Sequence, residues 1–206
     1  KGVEWVVEFD GINFNIDPNA QAYLLIEVDG SNLDLLFSDC EQINEVLEQH
    51  ECLDVLFADS SAQKEELWKM RRTMAVSVKS NSVYKEEDTV VPRAELPKLI
   101  RGIKEIGGKY GFDSVCYGHA GDGNLHVNII KAAMSDEDWN NKLKHGIKEI
   151  FELTVALGGT ISGEHGIGLV QKEYMAVKYS DIHLNLMRGI KQVFDPNGIL
   201  NPDKIF

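Results

Sequence analysis

The sequence predicts an α+β fold, a ferredoxin-like antiparallel sheet with helices on one face and extra helices towards the C-terminus. Short apolar runs of strand length alternate with segments whose apolar residues recur at helical spacing. The strands and helices come in pairs, as in a split β-α-β arrangement. Turn-forming residues close most of the runs.

The chain opens on Lys1 rather than Met and passes at once into a strand-like Trp5-Val6-Val7-Glu8-Phe9, which reads as a cut inside a longer chain. Tyr23 to Val28 (YLLIEV) is a strand ended by Asp29-Gly30. Ser38-x-x-Glu41 is a capping-box pattern, followed by Ile43, Val46 and Leu47 on one helical face. Leu53 to Ala58 reads as a returning strand and completes a β-α-β unit. Ser60-x-x-Gln63 starts a second helix through Leu67, Trp68 and Met70. Tyr84 to Val91 is a strand closed by Pro92. Leu96, Leu99, Ile100, Ile103 and Ile106 keep helical spacing up to Gly107-Gly108, expected to act as the C-cap. Phe112 to Tyr117 and Leu125 to Ile130 are strands flanking a glycine-rich Gly118 to Asn124. Ser135-x-x-Asp138 opens a long helix carrying Trp139, Leu143, Ile147, Ile150 and Phe151, stopped by Gly158-Gly159. A last helix, Ile182 to Phe194, halts at the turn-forming Asp195-Pro196-Asn197-Gly198. No repeat or low-complexity linker interrupts the chain, so residues 1–206 read as one domain.

Lys and Arg total 21 against 33 Asp and Glu, a formal net charge of −12. A balance this acidic argues against nucleic acid, whose binding needs a basic face, and against docking on anionic membranes. It leaves room for a small anionic substrate, because a few local cations or a metal ion reverse the field inside a pocket. Cys40, Cys52 and Cys116 are odd in number and lack C-x-x-C spacing, which points to a reducing, cytoplasmic compartment. No apolar run approaches the ~18 residues of a membrane span, and no secretory signal is read at the N-terminus.

Two segments carry the chemistry. Gly118-His119-Ala120-Gly121-Asp122-Gly123-Asn124-Leu125-His126-Val127-Asn128 sets three glycines between two strands and a histidine at each strand end. On a strand His126 and Asn128 point to one face, and a tight turn can return His119 beside His126. G-x-x-G-x-G is not the dinucleotide fingerprint and no helix follows it, so a phosphate cradle is disfavoured. Gly159 to Gly168 (GTISGEHGIG) places Glu164 beside His165 in a side-chain-poor loop. Together the segments supply His119, His126 and Glu164, a His₂-carboxylate set known for catalytic zinc that also suits non-haem iron or manganese. His165 is then free to act as a general base. The bland alternatives are a glycine-rich hairpin with incidental histidines and a surface Glu-His pair. Arg71 in Leu67-Trp68-Lys69-Met70-Arg71-Arg72, and Lys85, could grip a carboxylate or simply lie on solvated faces.

GHAGDGNLHVN, SGEHGIG and the closing FDPNGILNPDKIF (Phe194 to Phe206) resemble the signature segments of the FAD-linked oxidase C-terminal domain family, as do YLLIEVDG and LWKMR. That family includes D-lactate dehydrogenases, the D subunit of glycolate oxidase and D-2-hydroxyglutarate dehydrogenases. The resemblance implies a cap domain that supplies the substrate site, while a separate N-terminal domain, absent from this chain, holds most of the FAD. It implies His119, His126 and Glu164 as ligands of a divalent metal, zinc foremost, and His165 as the base. It also implies Arg71, Lys85 and Asn128 as substrate-binding residues and Asn201 as a residue near the flavin. Ala75 stands where some relatives carry threonine, one turn after the arginine, which leaves the particular acid open. The implied reaction oxidises a D-2-hydroxy acid to the 2-oxo acid by hydride transfer to flavin; the fragment alone is expected to be inactive. Rival readings are an alkylglycerone-phosphate-synthase-like flavoenzyme, a metallohydrolase, and a non-catalytic metal-binding or subunit-contact module. The implied partners are the FAD domain, the hydroxy acid and an unidentified electron acceptor, through which the protein could lie at a membrane periphery. The sequence also allows a homo-oligomer.

Overall fold

The structure, a computed structural model, describes residues 1–206. It divides into two compact units, Lys1–Ser77 and Val78–Phe206.

The first unit holds α1 (Gly2–Asp10), α2 (Leu33–Glu48) and most of α3 (Ser61–Asn81). Three expected strands are absent from it. Trp5 to Phe9 lies in α1, which ends at Gly11 with φ of 62°. Tyr23 to Val28 and Leu53 to Ala58 have no regular structure, so the expected β-α-β unit does not form. Strand residues are stabilised by a paired neighbour, and these runs gain no ladder; Leu24 and Phe57 remain 69% and 55% exposed. The expected first helix starts earlier than Ser38, because Asn32 takes the N-cap and its Oδ1 accepts from Asp34 N at 2.9 Å and Leu35 N at 3.3 Å. Ser60 does start α3, with Gln63 N donating to its Oγ at 3.4 Å and Asp59 N donating to Gln63 Oε1 at 3.1 Å.

The second unit is the expected α+β core. Its strands are β1 (Tyr84–Val90), β2 (Asp113–His119) and β3 (Asn124–Ile130), antiparallel in the order β1-β3-β2. Helices α4 (Leu96–Tyr110) and α6 (Leu143–Ala156) cover one face. Val127 and Ile129 of β3 meet Leu99 and Ile103 of α4 and Ile147, Ile150 and Phe151 of α6 in a core from which water is excluded. α4 continues past Gly107-Gly108 and stops at Gly111 (φ 86°), where the amides of Gly111 and Phe112 both donate to the Gly107 carbonyl. The helix opened by Ser135 breaks at Lys142 into α5 (Asp136–Asn141) and α6. A short α7 (Met175–Lys178) precedes α8 (Asp181–Phe194), whose end lies at the expected residue. No helix is long and apolar enough to cross a membrane.

Register fixes what the other face of the sheet carries. Glu86 pairs with Asn128, Asp88 with His126, and Tyr117 with His126 across the ladders. Directly opposed residues share a face, so Glu86, Asp88, Tyr117, His126 and Asn128 lie together, opposite the helices. The β2–β3 connection is closed by Gly123 at φ 74°; a Cβ there would stand 1.9 Å from the Val91 carbonyl oxygen, so only glycine fits.

Candidate functional site

The site is built on that polar face of the sheet and on the loop after α6. β3 projects Asn124, His126 and Asn128, all buried. β1 projects Glu86 and Asp88, and Asp88 has no exposed surface. The loop from Ser162 to Gly166 brings Glu164 and His165 to the same place; its turn is closed by Gly166 N donating to Ser162 Oγ at 2.9 Å.

Asp88 joins these parts. Its Oδ2 accepts from the backbone N–H of Gly163 at 2.8 Å, Glu164 at 2.5 Å and His165 at 2.9 Å. Its Oδ1 accepts from Asn124 Nδ2 at 2.7 Å. Burial works to raise the Asp88 carboxyl, but these hydrogen bonds hold it below the ordinary range, so it stays ionised at neutral pH.

His126 has carboxylates near both ring nitrogens. Its Nδ1 is 3.6 Å from Glu86 Oε1 and 3.8 Å from Asp88 Oδ1, and its Nε2 is 3.6 Å from Glu164 Oε2. These separations are too long for hydrogen bonds, and Nδ1 is buried without a partner. The His165 ring stacks on His126 with centroids 5.0 Å apart, and Tyr117 sits 5.5 Å away on the other side. Burial pushes His126 below the ordinary imidazole value, more than the Asp88 charge raises it. The ring is therefore neutral and has a lone pair to give. Asn128 is fully buried, and neither its Oδ1 nor its Nδ2 has a partner.

Three of these side chains have the spacing of metal ligands. Glu86, His126 and His165 offer one ligand atom each within 4.8 Å of one another. Bonds of about 2.1 Å at a tetrahedral angle set donor atoms about 3.4 Å apart, close to the 3.6 Å between His126 Nε2 and Glu164 Oε2. Unpartnered buried donors and a surplus of carboxylates are what an ion would satisfy.

The residues singled out from sequence are distributed as follows. His126, Glu164 and His165 come together. His119 ends β2 on the same face, opposite Asn124, but is exposed and outside the tight group. Asn128 lies on the site face, two residues along β3. Lys85 pairs with Ile129 and so points to the helix-covered side of the sheet, away from His126. Arg71 is half-buried on α3, in the first unit. Asn201 (φ 44°) lines a hollow of about 510 Å³ beside α8, shared with Met187, Ile190 and Phe194. Sequence reasoning missed Glu86, Asp88, Tyr117 and Asn124. The available signal was the acidic Glu86-Glu87-Asp88 run inside a strand, a place where acids are depleted. It also missed Lys79, which reaches Glu86 at 4.0 Å.

Fold and site thus define a mixed α+β domain with a histidine-carboxylate cluster on the face of its sheet opposite α4 and α6. The chain belongs to the family of FAD linked oxidases, C-terminal domain, which it matches over residues 3–205. It is 35% identical over 185 residues to a D-lactate dehydrogenase of Anaerostipes hadrus, covering 89% of this chain and 39% of that protein. It is 32% identical over 198 residues to glycolate oxidase subunit GlcD of Bacillus subtilis, covering 96% and 42%. It is 34% identical over 187 residues to a D-2-hydroxyglutarate dehydrogenase of Stutzerimonas stutzeri, covering 89% and 40%. The chain spans about two-fifths of the length of these relatives.

Proposed function

We propose that this chain is the substrate- and metal-binding part of an FAD-dependent oxidoreductase that converts a D-2-hydroxy acid to the 2-oxo acid. The observation that carries the reading is the convergence of His126, Glu164 and His165 on one face, with buried imidazole and amide atoms left unpartnered. The names of the relatives, all acting on 2-hydroxy acids, supply the substrate class.

When bound, flavin supplies the electron sink and a divalent cation, zinc foremost, supplies Lewis acidity at the substrate oxygens. His126 and Glu164, with His119 from the end of β2, would hold the cation. Glu86 stands ready on the other side of His126 to orient the ring or to ligate in its turn. His165, exposed and stacked on His126, would take the proton from the substrate hydroxyl at a ring nitrogen. Asn128 would hydrogen-bond the substrate from the floor of the site, which would satisfy its amide. Arg71 is assigned to the substrate carboxylate by family resemblance. Lys85 was expected to share that role, but its face of the sheet makes it the weaker candidate. Asn201 is assigned to the flavin side by its motif alone.

The test is His126→Ala in the flavin-bearing protein. Wild type should hold a stoichiometric divalent ion, and a D-2-hydroxy acid should bleach the flavin. The variant should lose the ion, with bleaching slowed by on the order of 100-fold or more. Unchanged ion content and unchanged bleaching reject the reading. Arg71→Ala tests the guanidinium separately: it should raise KM for the acid and leave ion content unchanged.

A further inference from the structure

We propose that Asp88 is the positioning residue of this site: its buried carboxylate, accepting from three successive backbone amides while facing the His126 ring, holds Glu164 and His165 in place against His126. The inference rests on the site reading above but concerns a residue to which that reading gives no role.

Four donors converge on one carboxylate. Oδ2 takes the amides of Gly163, Glu164 and His165, and Oδ1 takes Asn124 Nδ2 while lying 3.8 Å from His126 Nδ1. Successive N–H groups curled round an anion form a nest, and hydrogen bonds to an ionised acceptor are the strong ones. Just before the loop Thr160 pairs with Val90 and Ile161 is buried in the core. From Ser162 to Gly166 the other anchor is Ser162, which closes the loop on itself, and Glu164 and His165 are exposed. Gly163 belongs to the same device. A Cβ there would stand 2.6 Å from both Asn124 Nδ2 and Val90 Cγ2, and 3.0 Å from Asp88 Oδ1. Any side chain would push the loop off the sheet. The sequence distance spanned, from residue 88 to residue 165, shows what the contact achieves. It ties the strand that lines one side of His126 to the loop that lines the other.

Amide exchange on the 206-residue chain tests this directly. In wild type the amides of Gly163, Glu164 and His165 should be protected although they lie in an exposed loop, and the His126 and His165 rings should show a mutual NOE. Asp88→Ala should speed exchange at those three amides about 10- to 100-fold, the worth of hydrogen bonds to a charged group, and abolish the ring–ring NOE. Val127 and Ile129 should stay protected, which reports that the sheet is intact. Zn²⁺ affinity, followed on the same ring resonances, should fall about 10- to 100-fold. Unprotected loop amides in wild type overturn the proposal, whether or not the variant folds. So does an Asp88→Ala chain that keeps the ring–ring NOE and the wild-type Zn²⁺ affinity. If wild type takes up no Zn²⁺, the metal reading fails, while the amide and NOE results still decide the role of Asp88.

Discussion

At the residue scale, the two faces of β1 use acids in opposite ways. Asp88, on the site face, is surrounded by donors and stays charged. Glu87, its neighbour in sequence, points towards the helices and is 3% exposed. Its one partner is Gln171, whose Nε2 donates to Glu87 Oε2 at 2.7 Å while Gln171 Oε1 is left unpartnered. Burial pushes the Glu87 carboxyl up to about 7, against the pull of that hydrogen bond. Between pH 4.5 and about 7 the folded chain keeps a proton that the unfolded chain has lost. Stability therefore falls as pH climbs through that window, and the loss is complete above it. At about 1.36 kcal/mol for each pH unit, the penalty at pH 8 is on the order of 3 kcal/mol. Glu87→Gln should remove it: its amide can donate to the orphaned Gln171 oxygen. Urea denaturation should show the variant more stable than wild type at pH 8 and nearly equal to it at pH 4.

At the element scale, α8 and the segment after it depend on one carboxylate. Asp195, at the C-cap of α8, receives Lys191 Nζ at 2.8 Å, Ile199 N at 2.9 Å and Leu200 N at 3.0 Å. The Lys191 hydrogen bond is foremost among the causes that hold its pKa below the usual carboxylate range. Asp195-Pro196-Asn197-Gly198 thus works as more than a stop signal, since the acid also folds the following residues back. Asp195→Ala should leave α8 intact and expose residues 199–206 to limited proteolysis; equal cleavage rates in variant and wild type would show that the segment is held by other contacts.

The glycine-rich motifs belong to the same scale. Their composition shows that the backbone comes close to something, and pairing shows to what: Gly123 meets the Val91 carbonyl and Gly163 meets Asp88 and Asn124. The start of α3 after Ser60 and the end of α8 at Phe194 were legible, because caps and turns are local chemistry. Where other helix ends shifted, a stronger local cap was the reason: Asn32 ahead of Ser38, and Gly111 beyond Gly107.

At the scale of the whole molecule, the second unit carries nearly all of the buried apolar surface. Phe151 is fully buried and meets Tyr174 edge to face, with ring centroids 5.1 Å apart. Phe151→Ala should cost about 3–5 kcal/mol through lost transfer energy and a cavity the helices cannot close. A lower urea midpoint with an unchanged slope would report that loss. In the first unit Val6 is the buried hydrophobic, whereas Leu24, Leu56 and Phe57 stand exposed.

By itself the sequence determined the α+β class, the three strands from Tyr84 onward, the helices α4, α6 and α8, and the family, through its two glycine-rich motifs. The elements rest on short-range signals: alternation, helical spacing, caps and turn residues. It also named His126, Glu164 and His165. Tertiary structure alone decided that Tyr23 to Val28 and Leu53 to Ala58 stay out of the sheet, since a strand exists only where a ladder partner is found. It alone decided that Glu86 and Asp88, not Lys85, face His126. A strand sends alternate side chains to opposite faces, and which set meets the site depends on register with a strand some forty residues away.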